Sequence, residues 1–496
     1  MEEAMADTMD LSKKHAHGKG HESHGHEAHG HGKGLGKAHD VHSKGHGHAV
    51  HNAHESQVKT HVDKSLKILV TLSRHGSRRP NEITATLCPK NAHNSGRYEV
   101  PPEQLTEVGM EQLRKAGEEI RREYIDVQQF LSHSASGDSR KHLEAYFRSD
   151  SAERCAQSAI ALGYGLYPDG TGPRPFHKQP IANFMQLLPN EHDFAAPKGP
   201  CKAVAKADVQ LYFEKRAQEL IAQHKPMLEK VGDLCGINVW DIPTLPNGED
   251  IVTGIKDIAD TFTFDTQEGL PRLDGLTPEL QSEIEGLAFQ NLMERYYSTD
   301  RQITYWVGGF SNVLLKNLHV PTVPADETYK YYSYHCHREL LHGLGKLLGW
   351  DYDFKGQPRA MNTTALDPGT TLFFELHQVN NTTAPFVRTF VWSPTVPRTP
   401  VKLGKCSQLD CPLSEFTAII TGHVNQTGTW QQICNFQPQT YAPVATHPAT
   451  TLPAVVEEKD TTTTVAPATT TTTQAPATSA AITHAPTTTT TAPTTT

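Results

Sequence analysis

The chain has no run of 18 apolar residues, so nothing in its 496 residues reads as a membrane-spanning helix. Eight cysteines are too few to define a disulfide scaffold at this length. Excess positive charge is missing too: the formal net charge is −9, which gives no reason to expect a nucleic-acid partner. The opening Met1-Glu-Glu-Ala-Met-Ala-Asp has neither the basic nor the apolar stretch of a secretory signal.

What is present divides the chain in three. Residues 1–63 are rich in His, Gly and Lys, with repeats such as His15-Ala-His-Gly-Lys-Gly, and hold almost nothing apolar to bury. They read as a disordered tail. Neutral imidazole suits Zn, Cu and Ni, so metal binding is one reading; a soluble tail titrating in mildly acidic surroundings is the plainer one, because no fixed ligand spacing stands out. Residues 437–496 are nearly all Thr, Ala and Pro, which resembles an O-glycosylated mucin-like stalk or an unmodified linker, again disordered. Between them, 64–436 reads as one folded domain with an α-rich cap insertion at about 176–300.

That domain opens on Lys67-Ile-Leu-Val-Thr-Leu-Ser-Arg-His-Gly-Ser-Arg-Arg-Pro80. Ile68 to Leu72 read as a buried strand, since aliphatic and β-branched residues run together without clean alternation. Gly76 allows a bend, which puts Arg74, His75 and Arg78 at the carboxyl end of the strand, where open α/β sheets bind ligands. Arg74, Arg78 and Arg79 repel one another unless an anion lies among them, and the guanidinium fork matches phosphate. A helix is expected from Thr106, its N-cap, through Tyr124, with Leu113, Ala116, Gly117 and Ile120 on its inner face. A second helix is expected over Ala156–Leu166, helical stretches such as Val209–Leu228 in the cap, and an amphipathic stretch at Trp306–Leu318. A strand at Tyr329–Tyr334 leads into His335-Cys-His-Arg-Glu and a Leu-rich helix. Thr371–His377 and Phe386–Trp392 read as a late hairpin. Together these segments predict an α/β fold: a doubly wound, mostly parallel sheet with an α-rich cap.

Arg74-His-Gly-Ser-Arg-Arg-Pro80 resembles the Arg-His-Gly-x-Arg-x-Pro signature of the histidine acid phosphatases, in the phosphoglycerate-mutase-like superfamily. Leu105-Thr-Glu-Val-Gly-Met-Glu-Gln and Arg148-Ser-Asp-Ser-Ala-Glu-Arg154 are similar to two further segments of that family, and Tyr332-Ser-Tyr-His335 to the strand before its second histidine. Cys406 to Phe416 resembles the Cys-x-x-x-Cys-Pro-Leu-x-x-Phe region of animal prostatic and lysosomal acid phosphatases, lengthened by one residue. The resemblance implies a phosphomonoesterase with an acidic optimum, acting on a small phosphomonoester or a phosphorylated macromolecule without metal or cofactor. It makes His75 the nucleophile that forms a phosphohistidine. Arg74, Arg78 and Arg148 would hold the non-bridging oxygens, with His335 adding a further donor. It also suggests a homodimer.

The sequence departs from the family after that second histidine, where an Asp is expected to protonate the leaving alcohol and Cys336 stands instead. A protonated thiol could donate, but neighbouring arginines are expected to favour the thiolate, which cannot. His337 and Glu339 offer themselves as substitutes, although the simpler reading makes them the first turn of the following helix. The alternative function is therefore a pseudophosphatase that binds phosphorylated ligands without turnover. By the same resemblance Cys406 pairs with Cys411 and Cys434 with Cys201, leaving Cys88, Cys155, Cys235 and Cys336 unassigned. Sequons at Asn362, Asn380, Asn381 and Asn425, with the bridges and the Thr-rich tail, favour a secreted or lysosomal, lumenal protein.

Overall fold

The computed structural model describes residues 63–437, apart from 135–143, 173–174, 188–189, 195–198, 247, 320, 322–327 and 352–365. The readings of the histidine-rich and threonine-rich tails, and the Asn362 sequon, lie outside the described residues.

A 9-stranded sheet organises the body. Its strands are β1 (Leu66–Arg74), β2 (Ala145–Ser149), β3 (Asn183–Met185), β4 (Tyr331–Cys336), β5 (Trp350–Asp351), β6 (Thr371–His377), β7 (Phe386–Ser393), β8 (Val396–Leu403) and β9 (Cys411–Pro412). Their order is β3-β2-β4-β1-β6-β7-β8-β5, with β9 paired to β7. The first four run parallel, and from β1 onward neighbours are antiparallel. The expected late hairpin is β6 and β7, in register from Thr371–Trp392 to His377–Phe386. Strand β1 runs past its apolar stretch because Ser73 pairs with both His335 and Thr371, which carries the strand to Arg74.

Helices cover both faces, as a sheet buried on both sides requires. Helix α1 (Glu107–Arg121) starts where Thr106 Oγ1 accepts from the Gly109 amide at 3.0 Å, the expected N-cap. It packs on α2 (Glu153–Leu166) so closely that a Cβ at Gly117 would lie 2.0 Å from the Leu162 carbonyl oxygen. The chain then continues as a π turn over Arg122–Val127 and keeps Tyr124 buried. Leu69, Leu113, Leu162 and Tyr331 share the core on this face. On the other face Ile68, Val70 and Leu72 pack with Phe310, Leu341 and Leu344. These come from α5 (Asp300–Asn317) and α6 (Arg338–Leu348).

Beyond the sheet, α3 (Ile251–Gln267) and α4 (Pro278–Tyr297) join shorter helices to form the cap, which has its own core around Leu220, Val231 and Ile255. Cys88–Cys235 fastens this region to the loop after β1. The helical stretch expected over Val209–Leu228 is divided into Lys202–Glu214, Arg216–Gln223 and Lys225–Cys235. Pro226 explains the second break: it has no amide proton to continue a helix and sits in the first turn of a new one. Cys201–Cys434 and Cys406–Cys411 are bridged as expected. Cys155 and Cys336 are free and buried. Among the described residues no helix is long and apolar enough to cross a membrane.

Candidate active site

The bend after β1 is held from several sides. A Cβ at Gly76 would lie 2.2 Å from the Gly109 carbonyl oxygen, so only glycine fits where this loop meets the start of α1. The Ser77 amide donates to Gln112 Oε1 at 2.8 Å, and the Thr106 amide to the Ser77 carbonyl at 3.1 Å. The His75 amide donates to the Cys336 carbonyl at 2.9 Å, while its own carbonyl accepts from Gly369 at 3.0 Å. The His75 backbone is thereby fixed between β4 and the loop before β6.

Its side chain is equally constrained. His75 Nδ1 lies 2.8 Å from the Gly76 carbonyl oxygen, and a carbonyl can only accept, so the proton sits on Nδ1 and the lone pair on Nε2. The residue is 3% exposed. Burial, followed by the positive charges of Arg154, His337, Arg74 and Arg78, holds its pKa well below the usual histidine value. A neutral imidazole ringed by cations is the result.

Those cations come from three segments. Arg74, the last residue of β1, donates to the Leu366 carbonyl. Arg78 donates to Asn81 Oδ1 at 2.8 Å, and Asn81 in turn to Asp257 of α3 at 3.2 Å. Both guanidinium groups lie over the Phe264 ring, at 6.0 and 4.8 Å from its centroid. Arg154, in the first turn of α2, is buried and 3.4 Å from Glu103. His337 follows β4, and its ring meets that of His75 at 5.3 Å and 74°. Burial works against a positive His337, but the Cys155 sulfur and the Asp150 carboxylate outweigh it and push its pKa up to about 10. His337 Nε2 lies 3.4 Å from Asp150 Oδ1, which also accepts from the Ala152 amide at 2.8 Å.

Arg74, Arg78 and His75 are thus brought together, whereas Arg148, His335 and Cys336 have other surroundings. Arg148 lies within β2 and pairs with Glu191 at 2.5 Å and Asp193 at 2.8 Å. His335 lies within β4, fully buried, with Nε2 2.9 Å from Ser333 Oγ; burial drives its pKa down to about 3. Cys336 is buried in the apolar core, where its thiol donates to the His337 carbonyl at 3.4 Å. Burial first, then the neighbouring Cys155, Asp150 and Glu339, raises its pKa well above the usual thiol value. The thiolate expected from neighbouring arginines is therefore not favoured. Arg154 and Asp150 are the residues that sequence reasoning left without a role, and His337 is one that it weighed as a substitute acid and set aside as the first turn of a helix. Their common signal is position: each lies just past the end of β2 or β4, as His75 does past β1.

A cleft opens beside this cluster, between the sheet end and the cap, lined by Arg74, Gln267, Glu285, Phe289, Arg338 and Asp367. Arg338 is held across it by Asp260, at 2.5 and 2.9 Å. The arrangement offers an unprotonated nitrogen, several cations for an anion and a polar cleft for what the anion carries.

The chain is 24% identical over 251 residues to lysosomal acid phosphatase of Bos taurus, covering 48% of this chain and 52% of that one. It is 26% identical over 337 residues to lysophosphatidic acid phosphatase type 6 of Mus musculus, covering 67% and 70%. The matched stretches span 25% to 52% of the acid phosphatases matched from Caenorhabditis elegans, Xenopus laevis and Bos taurus. Among solved structures, apo Hafnia alvei phytase superposes with a TM-score of 0.56 at 17% identity, covering 75% of this chain and 98% of that one, which shows the shared fold. The model of the histidine phosphatase superfamily, branch 2, matches residues 65–391, and the chain belongs to that family.

Proposed function

We propose that the chain is a phosphomonoesterase in which His75 Nε2 attacks phosphorus. The N–P bond forms as the P–O ester bond breaks, giving a phosphohistidine and an alcohol. Arg74, Arg78 and Arg154 take the non-bridging oxygens and offset the charge in transfer. Because Nε2 of His337 faces Asp150, its Nδ1–H is the proton left for the leaving oxygen. Neutral His337 then accepts a proton from the water that hydrolyses the phosphohistidine, and both rings return to their starting states. Asp150 acts as a positioning residue for His337. The observation that carries this reading is the Nδ1 contact of His75 with the Gly76 carbonyl, which leaves a lone pair on Nε2 among cations.

A second reading keeps the phosphate site without turnover. The residue after His337 is Arg338, committed to Asp260, so no carboxylic acid follows the histidine. Hydrolysis of an aryl phosphate across pH, with vanadate as inhibitor, separates the two. Turnover abolished by His75→Ala supports the enzyme. Equal inertness of both proteins, with inorganic phosphate still raising Tm, supports the binder. The disulfides and the exposed Asn380, Asn381 and Asn425 support a secreted or lumenal location.

A further inference from the structure

Asp150 and Cys155 flank the junction of β2 and α2, His337 follows β4, and a ligand atom of each lies within 4.8 Å of the other two. Asp150 and Cys155 are buried. His337 Nε2 is 3.4 Å from Asp150 Oδ1 and 3.7 Å from Cys155 Sγ. Tetrahedral Zn²⁺, with metal–nitrogen and metal–oxygen bonds of about 2.1 Å and metal–sulfur of about 2.3 Å, has nitrogen–oxygen and nitrogen–sulfur edges of roughly 3.4 and 3.6 Å. The 3.4 and 3.7 Å edges of the structure match both. A carboxylate, a thiolate and an imidazole also suit Zn²⁺ by chemistry, and their two negative charges neutralise the dication beside the arginines.

We propose that Asp150, Cys155 and His337 form an inhibitory site for a divalent transition-metal ion of the Zn²⁺ class, one that arrests turnover while leaving phosphate binding in place. The arrest rests on the phosphatase reading; the metal site does not. Binding sends the Cys155 thiol proton and the His337 Nε2 proton to solvent. The metal then takes Nε2, the nitrogen that faces Asp150. His337 keeps Nδ1–H toward the phosphoryl group, but as a metal-bound neutral imidazole it is a far weaker acid than imidazolium. The leaving alcohol loses its proton source, whereas Arg74, Arg78 and Arg154 still hold the phosphate.

The test uses the full chain and the metal alone. Co²⁺ should give a near-ultraviolet sulfur-to-metal charge-transfer band, which imidazoles of the histidine-rich segment cannot produce. The band should vanish in Cys155→Ser and Cys155→Ala and persist in Cys336→Ala. Saturating Zn²⁺ should lower kcat for an aryl phosphate at least about tenfold, less than the roughly 10²- to 10⁴-fold of a positioned acid because an aryl oxide needs its proton less, with KM little changed. In Cys155→Ser, Zn²⁺ should no longer lower kcat, each rate being compared with the same variant's metal-free rate. No band in the wild type, or a band that survives Cys155→Ser or disappears in Cys336→Ala, overturns the site. Equal inhibition of wild type and Cys155→Ser overturns the arrest. A chain with the band but no turnover even without metal keeps the site and sinks the phosphatase reading instead.

Discussion

His75 and His337 are the first residues beyond two adjacent parallel strands whose last pair is Arg74 and Cys336, and their rings meet edge to face at 5.3 Å. Equivalent backbone positions carry opposite proton states. His75 gives its Nδ1 proton to a backbone carbonyl and faces cations, so it stays neutral. His337 faces Asp150 and the Cys155 sulfur, so it stays charged. Two like groups pushed apart in pKa are what nucleophile and acid require.

That separation predicts the pH profile. His75 has its pKa lowered, so kcat at saturating aryl phosphate should hold as pH falls through 6.5. His337, raised to about 10, should set the basic limb, with activity lost as pH rises through that value. Stability follows the same shifts. A depressed histidine leaves the unfolded chain binding more protons below about pH 6.5, so His75 and His335 should each remove up to about 1.4 kcal/mol per pH unit on acidification. His337 stabilises fully below its unfolded pKa and loses that contribution as pH rises toward 10. Tm measured against pH should therefore peak near 6.5. A kcat that collapses at pH 6 would refute the neutral His75.

Arg154 and Arg148 should separate cleanly in a second experiment. Arg154→Ala removes a cation acting on His75 and should lower kcat/KM by about 10²- to 10³-fold, as loss of a single transition-state donor does. Arg148→Ala breaks ion pairs with the partly exposed Glu191 and Asp193, which should cost about 1 kcal/mol or less and leave kcat/KM nearly unchanged. Steady-state kinetics and thermal melts on both variants decide it, and the reverse ranking would return the phosphate-binding role to Arg148.

The contrast between these arginines shows what a sequence can carry. Ile68 to Leu72 announce a buried strand through composition, and the contiguous Arg74-His-Gly-Ser-Arg78 announces its own site because every member lies on one bend. Arg148 and Arg154 flank one short motif, and choosing between them requires knowing that β2 ends at Ser149, which pairing with His335 sets. His335 and His337 pose the same problem, since Tyr332 to His335 fit the family text while the strand runs on to Cys336. Cys88 and Cys235 lie 147 residues apart, and only the packing of the cap on the loop after β1 joins them.

Cys336→Asp tests whether the acid was lost at that position. The thiol is buried in the apolar core, with Cys155, Asp150 and Glu339 beside it. A carboxylate there would be an uncompensated buried charge, so the variant should lose about 3 kcal/mol or more. Activity per folded molecule should not rise. Cys336→Ala should keep kcat while losing some packing. A gain in turnover for Cys336→Asp, measured against its folded fraction by circular dichroism, would restore position 336 to the catalytic site.

The two histidines that flank Cys336 give the sharpest comparison. His337→Asn removes the charged donor beside His75 and should lower kcat by about 10²- to 10⁴-fold, the usual contribution of a positioned acid. The loss should be smaller for substrates with good leaving groups, because an aryl oxide needs its proton less than an alkoxide does. His335→Asn changes a fully buried ring bonded to Ser333 and should act on Tm, with kcat per folded molecule retained. Paired kinetics on an aryl and an alkyl phosphate measure both effects. Equal losses on the two substrates would mean that His337 only binds phosphate, and the leaving-group proton would then have to come from Glu339 or water.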